Sequence, residues 1–212
     1  MNLLKMYCFL LLSVASIGLL AQNDKQAEKL IADFIKSVES DAIQTDFIMT
    51  ILDINDEPIQ VQIGKFAMKG NKFSLSVDGA NVFFDGKTQW TYLASNNEVS
   101  ITEPTEDELG EVNPILILRE YQAKCVVQML PEGESPENYA IRIIPMSNAE
   151  FSKIVVGINK STKVPTSILL QGKNSFSISI EFSGFKQNVN IANETFTFDK
   201  SKYKNVFEND LR

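Results

Sequence analysis

The sequence predicts an α+β protein that is mainly antiparallel β-sheet, and three observations carry that expectation. Between Gly64 and Ile101 the chain reads GKFAMKGNKFSLSVDGANVFFDGKTQWTYLASNNEVSI, short apolar stretches broken by Gly and Asn, which is the rhythm of short strands joined by tight turns. One stretch, Asp24 to Ser40, repeats its apolar residues at helical spacing. A second, Asn113 to Tyr121, interrupts the strands with an apolar run headed by Asn-Pro, the composition of a capped helix start.

The N-terminal residues read as an export signal. Lys5 supplies one positive charge, Met6 to Leu20 are mostly apolar, and Ala21 is a small residue at a plausible cleavage point before Gln22. The run ends at Gln22, Asn23, Asp24 and Lys25, short of the ~20 residues that span a bilayer. Cys8 follows Lys5, Met6 and Tyr7 in place of the small residues of a lipobox. The expectation is therefore a signal peptide over residues 1–21, a single domain over 22–212, and an exported chain with neither lipid nor anchor.

Within that domain, Ala27, Leu30, Ile31, Phe34, Ile35 and Val38 line one face of a helix that Asn23 or Asp24 would cap. The period then falls to two: Phe47, Met49 and Ile51, then Ile59, Val61 and Ile63 across an Asn55-Asp56-Glu57-Pro58 turn. Further strands follow at Phe73 to Val77, Val82 to Phe84 and Trp90 to Leu93, with Asp85-Gly86 as a tight turn. Acidic residues crowd around Pro104 between Thr102 and Gly110, which reads as a solvated loop. After the Asn113 helix, strands are predicted at Cys125 to Leu130, Tyr139 to Ile144, Phe151 to Ile158, Thr166 to Leu170 and Phe176 to Phe182.

Composition excludes several functions. A formal charge of −7 argues against nucleic acid or an anionic membrane as partner, since both select clustered Lys and Arg. The chain has no histidine, which removes the commonest general base and His-based metal sites. Asp85-Gly86-Lys87-Thr88 contains the Gly-Lys-Thr of a phosphate loop, but position 81 is Asn where the motif needs Gly, and a strand follows where it needs a helix. Glu106, Asp107 and Glu108 sit together in a charged loop. The reading is of a protein that is not an enzyme and needs no cofactor. Cys125 would be the one thiol left after export and reads as a small buried hydrophobe.

Several blocks in order resemble the periplasmic outer-membrane lipoprotein carrier, or LolA-type, family: FFDGKTQWTY from Phe83 to Tyr92, EVSI from Glu98 to Ile101, NPILIL from Asn113 to Leu118, FSKIVVGINKSTKVP from Phe151 to Pro165, and ETFTFD from Glu194 to Asp199 as a last strand. The resemblance implies a curved, unclosed β-barrel of about eleven strands, with an N-terminal helix and a short helical lid over a hydrophobic cavity. It implies a periplasmic monomer that receives acylated lipoproteins from an inner-membrane lipoprotein exporter and delivers them to an outer-membrane receptor where one exists. At about 0.8 kcal/mol per methylene, exposing one long acyl chain to water costs on the order of 12 kcal/mol, so such a carrier must hide its cargo in a dry interior.

For the acyl-cavity wall that the resemblance implies, alternation nominates Phe47, Met49, Phe66, Met68, Phe73, Leu75, Trp90, Ile168, Leu170, Phe176, Ile178 and Ile180, and the implied lid would fall on Ile115, Leu116 and Leu118 of the Asn113 helix. Alternation does not distinguish a cavity wall from a filled core. Many carriers of the family have an Arg-Pro pair before the strand matching Phe73 to Val77, whose arginine holds the lid shut. This chain has Met68-Lys69-Gly70-Asn71-Lys72 there, so Lys69 is the candidate latch, without the rigid fork of an arginine. Two alternatives stay open at this level: a binder or sensor of other lipids or acylated molecules on the same scaffold, and a structural β-domain without ligand.

Overall fold

The computed structural model describes residues 24–212 except 106–107, 110–112, 114, 117, 119–124, 146–150 and 174–175. The export signal expected over residues 1–21, and part of the Asn113 helix, lie outside the described residues.

Helix α1, Lys25–Ser40, starts where Asp24 Oδ1 accepts the amides of Gln26 and Ala27 at 2.8 and 3.2 Å, satisfying two of the free N–H groups of a first turn. It buries Ala27, Ile31, Phe34, Ile35 and Val38. The amide of Asp24 also donates to the Val127 carbonyl at 2.8 Å, pinning the helix start to a strand edge.

Among the described residues twelve strands follow: β1 Ile43–Leu52, β2 Pro58–Lys69, β3 Lys72–Val77, β4 Ala80–Phe84, β5 Gln89–Leu93, β6 Glu98–Thr102, β7 Cys125–Met129, β8 Asn138–Pro145, β9 Phe151–Asn159, β10 Pro165–Gly172, β11 Ser177–Gln187 and β12 Phe207–Asp210. They form one unclosed sheet in the order β12-β6-β5-β4-β3-β2-β1-β11-β10-β9-β8-β7. Every pairing is antiparallel except β12 beside β6. Two meanders of sequence neighbours thus meet at one long seam, β1 against β11. The turns carry the residues they need: Gly86, between β4 and β5, has φ +105°, a conformation open to glycine.

The sheet curls so that its concave side holds one buried apolar cluster. Phe66, Met68, Phe73 and Phe84 from the first meander, Ile143, Ile154, Ile168 and Leu170 from the second, and the buried face of α1 all belong to it. Register explains the sorting. Phe47 stands opposite Gly64 and Phe182, Met68 opposite Phe73, and Ile168 opposite Ile180, so one parity of each strand faces the same interior.

The convex side is covered by the C-terminal segment. Phe196 packs there with Ala42, Ala67 and Ile191, and Tyr203 with Tyr92, Val99, Phe198 and Val206. Asn97 anchors this strap. Its side-chain amide donates to the carbonyls of Lys204 and Asn205 at 2.9 and 3.0 Å, and its own carbonyl accepts the Phe207 amide at 2.9 Å.

One expectation is corrected here. The ETFTFD stretch is no strand: Asn193–Phe196 is a 3₁₀ turn, and the last strand is β12. The bend lets Phe196 and Phe198 both reach the convex surface, in different clusters, where strict alternation over an extended strand would offer them one shared face. The β1–β2 hairpin forms as expected, with Ile59, Val61 and Ile63 exposed.

Candidate functional site: the concave face and its helical cover

The floor of the site is the concave face of β1 to β4. The Phe66 and Phe73 rings stack with centroids 6.2 Å apart, and Phe84 lies 5.5 Å from Phe73. Beside them Phe47 lies across Gly64: a Cβ on that glycine would stand 2.3 Å from Phe47 Cζ and 2.6 Å from the Ser76 carbonyl oxygen. The missing side chain is what allows the phenylalanine to lie flat against the sheet.

The cover is built from two capped helical turns. Thr105 and Glu108 form a capping box: the Thr105 amide and hydroxyl both donate to Glu108 Oε2, at 2.8 and 2.9 Å, and the Glu108 amide returns a 3.4 Å bond to Thr105 Oγ1. Those bonds from Thr105 hold the Glu108 carboxyl below the usual glutamate value of 4.5. The box seats Leu109, which packs against the main core cluster. Asn113 then caps the second turn. It is fully buried, and its Oδ1 accepts the amides of Ile115 and Leu116 at 3.0 and 3.4 Å.

Ile115, Leu116 and Leu118 are helical and buried in the same cluster as the wall strands. Between cover and sheet rim opens a cleft of about 450 Å³. Phe84, Leu109 and Leu116 provide its apolar lining, with Asn71, Gly86, Lys87, Glu103 and Pro104 around them. Lys87 and Glu103 form an ion pair of 3.0 Å at this rim.

A sequence model of the family described as outer membrane lipoprotein carrier protein LolA matches residues 19–174. The chain belongs to the LolA family. No curated protein matches it. Among solved structures it is similar to an uncharacterized conserved protein from Thermus thermophilus, at TM-score 0.55 and 13% identity, over 86% of this chain and 98% of that one. It is also similar to a LolA superfamily protein from Nitrosomonas europaea, at TM-score 0.46 and 13% identity, over 82% and 98%, and to LprF from Mycobacterium bovis, at 0.43 and 9%, over 81% and 97%. The Thermus likeness shows a shared fold. No helix among the described residues is long and apolar enough to cross a membrane.

Of the wall residues nominated from sequence, this LolA family member places Phe47, Met49, Phe66, Met68, Phe73, Leu75, Ile168, Leu170, Ile178 and Ile180 in or against the interior cluster. Trp90 points the other way. It stands opposite Phe83 and Ile101, and packs against the Tyr92, Val99 and Val206 cluster on the convex side. The register is the reason: Val82 and Phe84 take the inward positions of β4 opposite Leu75 and Phe73, which leaves Phe83 and its partner Trp90 facing out. Phe176 sits at the β10–β11 turn, its carbonyl accepting the Gly172 amide at 2.9 Å, outside the wall cluster.

Among the described residues, the hydrogen-bond partner of Lys69 lies away from the cover. Its Nζ donates to the Ile191 carbonyl at 3.1 Å, so it ties β2 to the C-terminal strap. The neighbouring residue makes the connection instead: Asn113 Nδ2 meets Met68 Sδ at 3.9 Å. The Asn113 cap agrees with the sequence reading, which misses the Thr105 box. Thr105-Glu106-Asp107-Glu108 does carry the Thr-x-x-Glu signature of a capping box, hidden under an acidic composition that suggests a loop.

Proposed function

We propose that this LolA family member is a periplasmic carrier that holds the acyl chains of lipoproteins in its concave interior and ferries them between membranes. Family membership supports the reading, and so does the cleft between Leu116 on the cover and Phe84 on the sheet rim, two residues that belong to the buried cluster. As described, the wall is closed: Phe66, Met68, Phe73 and Ile168 are at most 2% exposed. Loading therefore requires the cover to move away from the sheet, and the gain is the burial of methylenes at about 0.8 kcal/mol each. No cofactor and no chemical step enter the proposal.

The test is lipoprotein release. The purified protein is incubated with inner-membrane vesicles that contain a working exporter and a labelled lipoprotein, and the supernatant is examined for a one-to-one complex. A soluble complex is the expected result. Absence of the complex alongside co-purifying lipid in an organic extract would replace the lipoprotein with another acylated ligand. Absence of both would leave a ligand-free β-domain.

A further inference from the structure

From Gly64 toward the β1–β2 turn, strand β2 turns its apolar residues outward. Gly64, Phe66 and Met68 face the concave side, and the ladder between Ile63 and Gly64 runs on without a bulge, so Val61 and Ile63 fall on the convex face, and Ile59 follows them as the extra residue where the register shifts between Ile51 and Leu52. Ile59, Val61 and Ile63 are 66, 58 and 63% exposed. Ile48, directly opposite Ile63, is exposed beside them, while Gln60 and Gln62 take the inward positions.

The same stretch has a bare edge. Strand β3 ends at Val77 opposite Gly64, so among the described residues the side of Pro58 to Ile63 away from β1 pairs with no strand. A depression of about 530 Å³, lined by Asp46, Ile63, Lys65, Val77 and Asp78, marks the point where β3 stops. Exposed β-branched residues next to an unpaired edge form a template for one more strand. From Ile59 to Ile63 there is no charge and no proline to deter it.

Charge selects the occupant. Asp46, Asp56, Glu57, Asp78 and Glu181 are exposed around the row, with Lys65 among them. Two copies meeting edge to edge would bring these carboxylates together, which disfavours self-pairing, whereas a cationic partner meets them with opposite charge. We propose that the Pro58–Ile63 edge is a docking site for an extended strand of a partner protein, apolar on one face and flanked by lysine or arginine. The docking face lies across the sheet from the apolar interior, so the proposal is independent of what that interior holds.

The probe is a synthetic peptide of alternating valine and threonine with two lysines at each end, compared with the same peptide ending in glutamates. Hydrogen exchange on the purified protein should show slowed amides within Pro58 to Ile63 when the lysine peptide is added. Its affinity should exceed that of the glutamate peptide about tenfold at low salt, with the gap narrowing as salt rises. The double variant Val61→Lys, Ile63→Lys should lose the effect while its unfolding midpoint stays put, and Ile63→Thr, which keeps a β-branched residue, should weaken it. Equal affinity for the two peptides would overturn the proposal, as would protection confined to another strand. Concentration-dependent protection of these amides without peptide would replace the partner with a second copy. Binding to neutral phospholipid vesicles with no response to either peptide would replace it with a membrane.

Discussion

Asn113 Nδ2 lies 3.9 Å from Met68 Sδ, joining the buried start of the cover to the wall strand β2. Since Asn113 Oδ1 is taken by two helical amides, one side chain both starts the turn and fixes it to the sheet. Replacing it by alanine should cost about 1–2 kcal/mol in urea unfolding. Amide exchange at Ile115 and Leu116 should quicken more than exchange in β9. Equal acceleration everywhere would mean that the cap stabilises the whole fold without restraining the cover in particular.

Gly64→Ala should destabilise the protein by about 1–3 kcal/mol in thermal or denaturant unfolding, because the new methyl meets both the Phe47 ring and the Ser76 carbonyl. Adding Phe47→Ala should make the pair less costly than the sum of the two single changes. The backbone carbonyl stays in place, so the relief should be partial. Strict additivity would show that the Phe47 ring is not the obstacle.

The Thr105–Glu108 box should open in acid. Its carboxyl titrates below the usual 4.5 when folded, so its contribution is fully present above that value and is lost as pH falls through the folded pKa. An NMR titration should show the Thr105 amide shifting together with the Glu108 carboxyl. In Thr105→Ala the Glu108 midpoint should return toward 4.5. A midpoint unmoved by that substitution would remove Thr105 as the cause.

Leu116→Asp should cut cargo uptake in the release assay severely while unfolding remains cooperative. The side chain lies at the cleft, and its replacement sets a carboxylate where an acyl chain would pass. Undiminished release by a folded Leu116→Asp variant would take this cleft out of the loading route.

Trp90, the chain's one tryptophan, reports on the strap and not on the interior. Deleting Val206 to Arg212 should shift its emission to the red, since Val206 belongs to the convex cluster that Trp90 packs against. A fatty acid taken into the concave side should leave that emission unchanged. A ligand-induced shift without loss of the strap would show that the two faces communicate.

Much of this architecture could be read from residue order. Helix α1 and the meander from Phe47 to Leu93 follow from the change of apolar period from helical to two, and most wall residues follow from alternation. Trp90 shows where that reasoning stops. Alternation divides a strand into two faces without saying which faces the interior, and here the Trp90 face of β5 is covered by a segment more than a hundred residues later in the chain. Val61 and Ile63 show a second limit. Their period is that of a strand, but their parity relative to Phe66 and Met68 becomes visible only once the ladder is known to run through Gly64 without a bulge. Analogy with a latch nominates Lys69, and its actual partner is a carbonyl of the strap, which no local pattern announces.

The β1–β11 seam gives the molecule an uneven folding problem. Each meander grows by hairpins between sequence neighbours, whereas Leu52 must find Ser177, some 125 residues later. Loop-closure entropy rises only slowly with length, so that distance is a modest thermodynamic burden, but it weighs on the rate, because contacts distant in sequence form late. Until β11 emerges, β1 waits with its seam edge open and Phe47 and Met49 lacking their partners Phe182 and Ile180. During synthesis the N-terminal meander can therefore be nearly complete while the joint that makes it half of a barrel is still missing.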